Sequence, residues 1–324
     1  MPAVSSPALA LSSTAAPSAV APSASTVAAA SASGLAVAAG SAGPEASAAP
    51  ASLAAPPATR EPPEGMALVP GGDFVMGADD EGELDERPAH RVTLPPFFLD
   101  LTEVTNEAYE KCVEAGACRP HDSESARVNK VGDDRAFRRP RQPISAVSWD
   151  DALGYCRRLG KRLPTEAEFE KASRGTDGRR YPWGNEFPDR TRSVFGEAPT
   201  ADVGSRPAGR GPYGHFDLTG NVWEWIADFY DPYAYRRPGV ERGESGTCEQ
   251  TLAVFAELRQ KKMQGFTGTN PIPTECEHVL RGGAFNYNAR GLRSSNRVHH
   301  PGRFRLIMSG FRCAMTALSS EEQN

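Results

Sequence analysis

The sequence predicts one loop-rich α+β domain that follows a disordered N-terminal tether. Three observations predict this class: a sharp change of composition near Glu64, two helix patterns early in the denser part, and few long strand patterns among many Gly- and Trp-bearing turns. We assign residues 1–63 to the tether, 64–318 to the domain and 319–324 to a C-terminal tail. Within the domain, residues 236–278 are predicted to be a polar insertion.

The tether has almost no bulky apolar surface to bury. Before Arg60 its only charged residue is Glu45, and the remainder is almost entirely Ala, Ser, Pro, Gly, Thr, Val and Leu. Such a composition is typical of disordered segments, and the repeated prolines exclude one long helix.

The domain begins with strand patterns that are broken by proline. Residues 66–77 (MALVPGGDFVMG) hold two short apolar runs around Pro70 and two glycines, which predicts a β-hairpin. An acidic surface loop follows at 77–90, and residues 91–105 contain two strand-like pieces separated by a Pro-Pro pair.

Three capping signals predict where helices begin. Thr105 is the predicted N-cap of the helix NEAYEKCVEA, and Ser148 opens the helix WDDALGYCRRLG, whose apolar residues recur at helical spacing. Thr165 and Glu168 have the spacing of a capping box for the helix EAEFEKAS.

The charge pattern argues against a nucleic-acid partner. The formal net charge is −5 and the arginines are scattered, with no basic stripe along the chain. No stretch reaches the ~20 apolar residues that cross a bilayer, so we expect no transmembrane segment in this chain. Residues 1–30 lack the basic and apolar regions of a secretory signal.

The cysteines favour disulfides over a zinc site, because their number is even and no CxxC pair occurs. Cys112 and Cys118 are close enough for a local loop, and Cys248 and Cys276 bracket the insertion. The alternative is reduced thiols, some of them buried. Disulfides would place the chain in the periplasm or outside the cell, whereas reduced thiols would place it in the cytoplasm. The cysteines are Cys112, Cys118, Cys156, Cys248, Cys276 and Cys313.

Seven motifs occur in the order in which a known family carries them: MALVPGGDFVMG, EVTNEAY, GKRLPTEAEFEKASRG, RYPWGN, GHFDLTGNVWEW, RGGAF and GFRCA. Over residues 64–316 the chain resembles the formylglycine-generating enzyme, or sulfatase-modifying factor, family. The resemblance implies an elaborated C-type-lectin-like fold and a disulfide between Cys156 and Cys313. A second family disulfide would join the positions of Ser173 and, approximately, Arg297, and both of its cysteines are absent here.

The resemblance also implies that the family's copper site has been lost. In enzymes of the family, two cysteines bind a copper ion that oxidises a cysteine of a client sulfatase to formylglycine. The corresponding positions here are Tyr287 and Leu292, within RGGAFNYNARGL. Cu(I) prefers soft thiolate ligands, and neither side chain can replace one. We therefore expect no copper and assign no catalytic residue.

A calcium loop is the second feature that the resemblance implies. Residue by residue, GHFDLTGNVWEW places the ligands at Asp217, the backbone of Gly220, the backbone of Val222, and Glu224. Ca²⁺ prefers hard oxygen ligands, and this turn would supply both carboxylates and carbonyls. The alternative is that Asp217 caps a turn and Glu224 pairs with an arginine. A further family calcium site, where Ser193 stands in place of an Asn, is not expected.

The tryptophans and the paired histidines are interpreted as packing residues. Trp183, Trp223 and Trp225 would suit a carbohydrate platform, but their alternation in GNVWEW favours a core. His299 and His300 lack a nearby third ligand, and a catalytic metal site needs about three.

In this family, the segment 286–303 lines the substrate cleft. Tyr287, Asn288, Arg290 and His299 are therefore the candidates for contacts with a protein or peptide ligand. We expect a monomer.

Two functions follow from these patterns. The first is an exported, calcium- and disulfide-stabilised binding or scaffold module that is not itself a copper oxidase. The second is a metal-dependent oxidoreductase of the same family with altered ligands, acting on a protein or peptide substrate.

Overall fold

The computed structural model describes residues 61–80, 82–121, 134–261 and 272–317. All of them belong to one compact unit, Ala55–Asn324. Most of the predicted tether and the whole predicted tail lie outside the described residues.

Four α-helices form in these ranges, and the three predicted N-caps are confirmed, whereas the fourth helix, capped by Thr247, was not predicted. The side chains of Thr105, Ser148 and Thr165 each accept a hydrogen bond from a backbone amide of the first turn. Glu168 completes the predicted capping box, and Asp151 completes a second one that was not predicted. The helices are α1 (Asn106–Glu114), α2 (Trp149–Arg158), α3 (Glu166–Arg174) and α4 (Cys248–Gln260).

Nine short strands in the described ranges form three sheets, with orders β1-β4-β9, β2-β3 and β7-β6-β5-β8. All the pairings are antiparallel except that of β5 with β8. The strands are β1 (Met66–Val69), β2 (Gly72–Met76), β3 (His90–Leu94), β4 (Phe97–Asp100), β5 (Trp223–Phe229), β6 (Glu277–Arg281), β7 (Arg297–Pro301), β8 (Ser309–Gly310) and β9 (Ala314–Thr316). Helices and small sheets together confirm the predicted α+β class.

The hairpin predicted within residues 66–77 is wrong. Strand β1 pairs with β4, and β2 pairs with β3, so the two predicted arms lie in different sheets. Val69 pairs with Phe97, and Gly72 pairs with Leu94. The two sheets therefore share one antiparallel register, which is interrupted at Pro70 and at Pro95 and Pro96. The ladder breaks there because proline has no amide proton to donate. The chain reversal that joins two paired strands lies instead in the acidic loop, between β2 and β3.

The four-stranded sheet separates two apolar clusters. Trp225 and Leu280 point toward the cluster that contains α2, whereas Ile226 and Val279 point toward the cluster that contains α3. This follows from the alternation of side chains along a strand. The tryptophans of GNVWEW are therefore core residues, as predicted. Trp183 instead lies near the surface, where its ring stacks on that of Tyr181.

The described part of the insertion adds α4 to the α3 side of the sheet. Phe255 and Leu258 of this helix are buried in the same cluster as Tyr230. Cys248 and Cys276 close the insertion. None of the helices in the described ranges is long and apolar enough to cross a membrane.

All six cysteines of the chain form disulfides. The bonded pairs are Cys112–Cys118, Cys156–Cys313 and Cys248–Cys276, with Cα atoms 5.3, 5.6 and 5.6 Å apart. The pairing of Cys156 with Cys313 confirms the one that the family resemblance implied. The other two agree with the loops suggested by sequence spacing.

Candidate metal centre and substrate cleft

The predicted calcium loop is a turn with an unusual backbone. Asp217, Gly220 and Asn221 all have positive φ, at 52°, 91° and 60°. A Cβ on Gly220 would lie 2.1 Å from Oγ of Ser193 and 2.6 Å from the carbonyl oxygen of Val194. Only glycine therefore fits this position, and Ser193 serves as a packing neighbour of the loop.

Three carboxylates and one guanidinium are buried together beside this turn. Asp217 and Glu224 were predicted from sequence, whereas Glu103 was missed. Glu103 lies just before α1, more than a hundred residues from the loop, and no local pattern connects the two. The fourth member is Arg312, which lies in the GFRCA motif.

The structure contains the contacts of the alternative interpretation, in which Asp217 caps a turn and Glu224 pairs with an arginine. Nε and Nη2 of Arg312 donate to the two carboxylate oxygens of Glu224, each at 2.7 Å. Oδ2 of Asp217 accepts a hydrogen bond from the amide of Gly204 at 2.5 Å. Both carboxylates therefore have partners without a metal ion.

Glu103 is less well satisfied. Its Oε1 is buried without a hydrogen-bond partner, and its Oε2 has only a 3.5 Å contact with Nδ2 of Asn221. Burial raises the pKa of Glu103 well above its usual range, and the negative charges of Asp217 and Glu224 raise it further. An unpaired buried carboxylate is costly, so this atom is suited to a cation or a proton.

Charge counting favours a divalent cation. If ionised, Glu103, Asp217 and Glu224 carry three negative charges, of which Arg312 compensates one. Burial is the first cause of the raised pKa of both Asp217 and Glu224, and the charge of Arg312 opposes it. The remaining two negative charges match one Ca²⁺. Carboxylate and carbonyl oxygens are also the ligands that calcium prefers.

The side chains alone do not close such a site. Across the part of the chain that the structure describes, no three His, Cys, Asp or Glu side chains are arranged to hold a metal ion. A calcium ion would need backbone oxygens as well, and the turn at Gly220 and Val222 could supply them. The donor set fits calcium in chemistry, with the carbonyls as an essential part.

The two positions that the resemblance assigns to the copper ligands hold packing residues. The ring of Tyr287 lies edge-on to that of Trp223, with centroids 5.2 Å apart. Leu292 is fully buried. Because every cysteine of the chain is in a disulfide, no thiol is present to take their place.

The cleft candidates are divided between two faces of the molecule. Tyr287 packs against the cluster on the α2 side. Asn288 and Arg290 are exposed on the same loop, where Oδ1 of Asn288 accepts from the amide of Arg290 and Arg290 pairs with Glu83.

His299 does not join these candidates. Its ring stacks on Tyr230 with centroids 3.7 Å apart, and its Nδ1 contacts the carboxylate of Glu277. Tyr230 belongs to the cluster on the α3 side. His300 alternates to the other face of β7 and stacks on Phe304. The proposed grouping of His299 with Tyr287 is therefore corrected by the strand alternation.

Ser173 and Arg297, the two positions that the resemblance assigns to a second family disulfide, have different partners in the structure. Oγ of Ser173 donates to Oγ of Ser294 at 2.8 Å, so Ser294 faces Ser173. Arg297 instead forms two hydrogen bonds with Glu166, at 2.8 and 2.7 Å. The residue in contact with Ser173 is therefore Ser294 and not Arg297.

Comparison with known proteins agrees with this fold. A family model described as the sulfatase-modifying factor enzyme 1-like domain matches residues 51–317. The chain belongs to this family. Its fold is similar to that of PvdO from Pseudomonas aeruginosa, with a TM-score of 0.62 and 25% identity, covering 82% of this chain and 100% of that one.

The sequence relatives in this family have different names and activities. The chain is 35% identical over 261 residues to the serine/threonine-protein kinase pkn1 of Chlamydia pneumoniae, covering 77% of this chain but only 37% of the kinase. It is 36% identical over 215 residues to the inactive C-alpha-formylglycine-generating enzyme 2 of Mus musculus, covering 52% and 70%. It is 35% identical over 244 residues to the formylglycine-generating enzyme of Streptomyces coelicolor, covering 56% and 75%. Since similar identity links it to an enzyme and to an inactive relative, activity must be argued from the site residues.

Proposed function

We propose that this sulfatase-modifying factor domain is an exported binding or scaffold module, stabilised by calcium and disulfides, that does not oxidise its ligand through copper. The observation that carries the proposal is the filling of both copper-ligand positions by Tyr287 and Leu292. Cu(I) requires soft ligands, and a phenol and a buried aliphatic side chain supply none.

The disulfides support the exported location. Three cross-links that use every cysteine are typical of oxidising compartments and rare in the cytosol. The longest joins residues 157 positions apart, so it ties α2 to the segment just before β9.

Calcium is proposed as the stabilising ion at the turn that contains Asp217 and Glu224. Support comes from the unpartnered oxygen of Glu103 and the two uncompensated negative charges around Arg312. When bound, calcium would supply charge balance and would fix the turn. It would have no role in a reaction.

The proposal is tested by elemental analysis of the purified full-length chain, combined with an oxidation assay. Calcium near one per chain, no stoichiometric copper or iron, and no oxygen consumption with a cysteine-containing peptide are expected. As a matched positive control, the formylglycine-generating enzyme of the family should consume oxygen in the same assay.

Stoichiometric copper or iron, together with oxidation of the peptide, would overturn the proposal. That result would favour the second function, a metal-dependent oxidoreductase with altered ligands. His299 beside Glu277 would then be the residue to substitute first, since it is a buried imidazole next to a carboxylate.

A further inference from the structure

A charged cavity is lined in part by the segment that the resemblance assigns to the family's cleft. Its volume is about 350 Å³, and Asp79, Asp80, Arg174, Arg180 and Arg293 are among the residues that line it. The aspartates come from the acidic loop after β2, and the arginines come from the end of α3, the turn after it and the segment that follows Leu292. Three separate chain segments thus bring both signs of charge to one cavity.

The cavity shares a wall with the cleft segment. Nε of Arg293 donates to the carbonyl oxygen of Arg290 at 3.2 Å. The guanidinium of Arg290 pairs with Glu83, which lies in the same acidic loop as the two aspartates. A ligand held in the cavity would therefore also border the exposed cleft residues Asn288 and Arg290.

Buried carboxylates hold two of the arginines in place. Arg293 forms a two-point pair with Glu86, and Arg174 contacts Glu170 and the carbonyl oxygen of Gly77. Glu86 and Glu170 are both fully buried. Guanidinium groups that are already fixed lose little entropy when a ligand arrives, so this wall is preorganised for binding.

The acidic part of the lining is restrained at Asp79. Oδ1 of Asp79 accepts a hydrogen bond from the amide of Ala89 at 2.9 Å, which closes the acidic loop on itself. Asp79 and Asp80 are exposed, so their charges face solvent.

The mixture of positive and negative side chains around the cavity disfavours a ligand that carries charge of only one sign. A simple anion would be attracted by the arginines, but Glu86 and Glu170 already compensate two of them and Asp79 and Asp80 would repel it. A simple cation would meet the arginine wall. A ligand that carries both signs is complementary to both walls, and complementary charge gives specificity in such contacts.

We propose that this charged cavity binds a peptide segment of a partner protein that carries an acidic and a basic side chain close together. The acidic side chain contacts the arginine wall, and the basic one contacts Asp79 and Asp80. The inference rests on the proposed binding role, and it names the site and the ligand class.

Calorimetric titration of the full-length chain tests the proposal. The probes are capped heptapeptides of Gly and Ser that carry one Glu and one Lys in either order, two Glu, or two Lys, and inorganic phosphate is titrated separately. We expect a mixed-charge peptide to bind at least roughly fivefold more tightly than the peptides of one sign. Arg180→Ala and Asp80→Asn should each weaken its binding roughly tenfold, since hydrogen bonds to charged groups have about this effect.

Arg158→Ala is the matched control, because Arg158 is an exposed arginine at the end of α2. It should leave the binding unchanged. Equal binding of the two-Glu peptide or of phosphate, with the same loss in Arg180→Ala, would replace the proposal with a simple anion site. No binding of either mixed peptide at millimolar concentration would overturn it.

The two proposals fail in different ways. Failed peptide binding, with calcium bound and no oxidation, would overturn only the charged-cavity inference. Oxidation of a cysteine-containing peptide would overturn the proposed function, whatever the heptapeptides show.

Discussion

Arg312 holds Glu224 by two hydrogen bonds of 2.7 Å, and both side chains are fully buried. Arg312 is also the counter-charge nearest to Asp217 and Glu103 in the same pocket, and its charge opposes the rise of their pKa values. One guanidinium thus faces three carboxylates. It anchors the predicted calcium turn whether or not an ion is bound.

Removal of this guanidinium should be strongly destabilising. Arg312→Met leaves the buried carboxylate of Glu224 without its guanidinium partner, and breaking a buried pair in this way costs about 3–5 kcal/mol. Urea unfolding in the presence of a calcium chelator measures the loss. Arg158→Met is the control, because Arg158 is exposed, and it should change the free energy of unfolding by less than about 0.5 kcal/mol.

The unpartnered oxygen of Glu103 leads to a prediction about calcium. Wild-type protein should melt at a higher temperature with calcium than with chelator, and saturation at 100 times Kd would add about 2.7 kcal/mol. Glu103→Gln should lose most of that difference, since it removes one of the negative charges that attract the ion. Exposed Glu110→Gln on α1 should retain it. A calcium effect of the same size in Glu103→Gln would remove Glu103 from the proposed ligand set.

A different carboxylate should make stability depend on pH. Asp228 is buried against α3, and burial raises its pKa to about 7, with the charge of Glu166 as the next cause. The folded state therefore holds this proton at pH values where the unfolded state has released it. Because of this group, the free energy of unfolding falls as pH rises from about 4 to about 7.

The free energy of unfolding is compared between a variant and the wild type, because His278 changes the pH dependence of stability in the opposite direction to Asp228. Burial lowers the pKa of His278 to about 4, so its contribution rises with pH over much of the same window. Asp228→Asn keeps an oxygen that can accept from the amide of Glu166 and removes the titration. Its stability relative to wild type should increase from pH 4 to pH 7.

Local signals in the sequence predict the helix starts well. Thr105 and Thr165 cap helices as expected, because a cap involves residues only three apart. The hairpin at 66–77 fails because the choice of strand partner depends on residues 90–100, which local pattern does not include.

The site shows the same limit. Asp217 and Glu224 are near one another in sequence and were predicted, but Glu103 and Arg312 reach the pocket from remote segments. His299 lies in the segment that resembles the family's cleft, yet its strand directs the side chain to the opposite face of the sheet from Tyr287. A sequence match identifies the chain segment that corresponds to the family's cleft. The pairing of the strands decides which side chains of that segment lie on the same face of the sheet.

The contact between Ser173 and Ser294 provides a direct test of which residue after Leu292 faces α3. Their hydroxyl oxygens are 2.8 Å apart, so the two side chains point toward one another, as the cysteines of a disulfide must. The double variant Ser173→Cys with Ser294→Cys should form a fourth disulfide, so that thiol titration in denaturant finds no free thiol. Ser173→Cys with Ser295→Cys is the matched control, since Ser295 contacts Glu86 instead, and it should show two free thiols. Free thiols in the first variant, or a cross-link in the second, would show that the segment after Leu292 is set in a different register against α3.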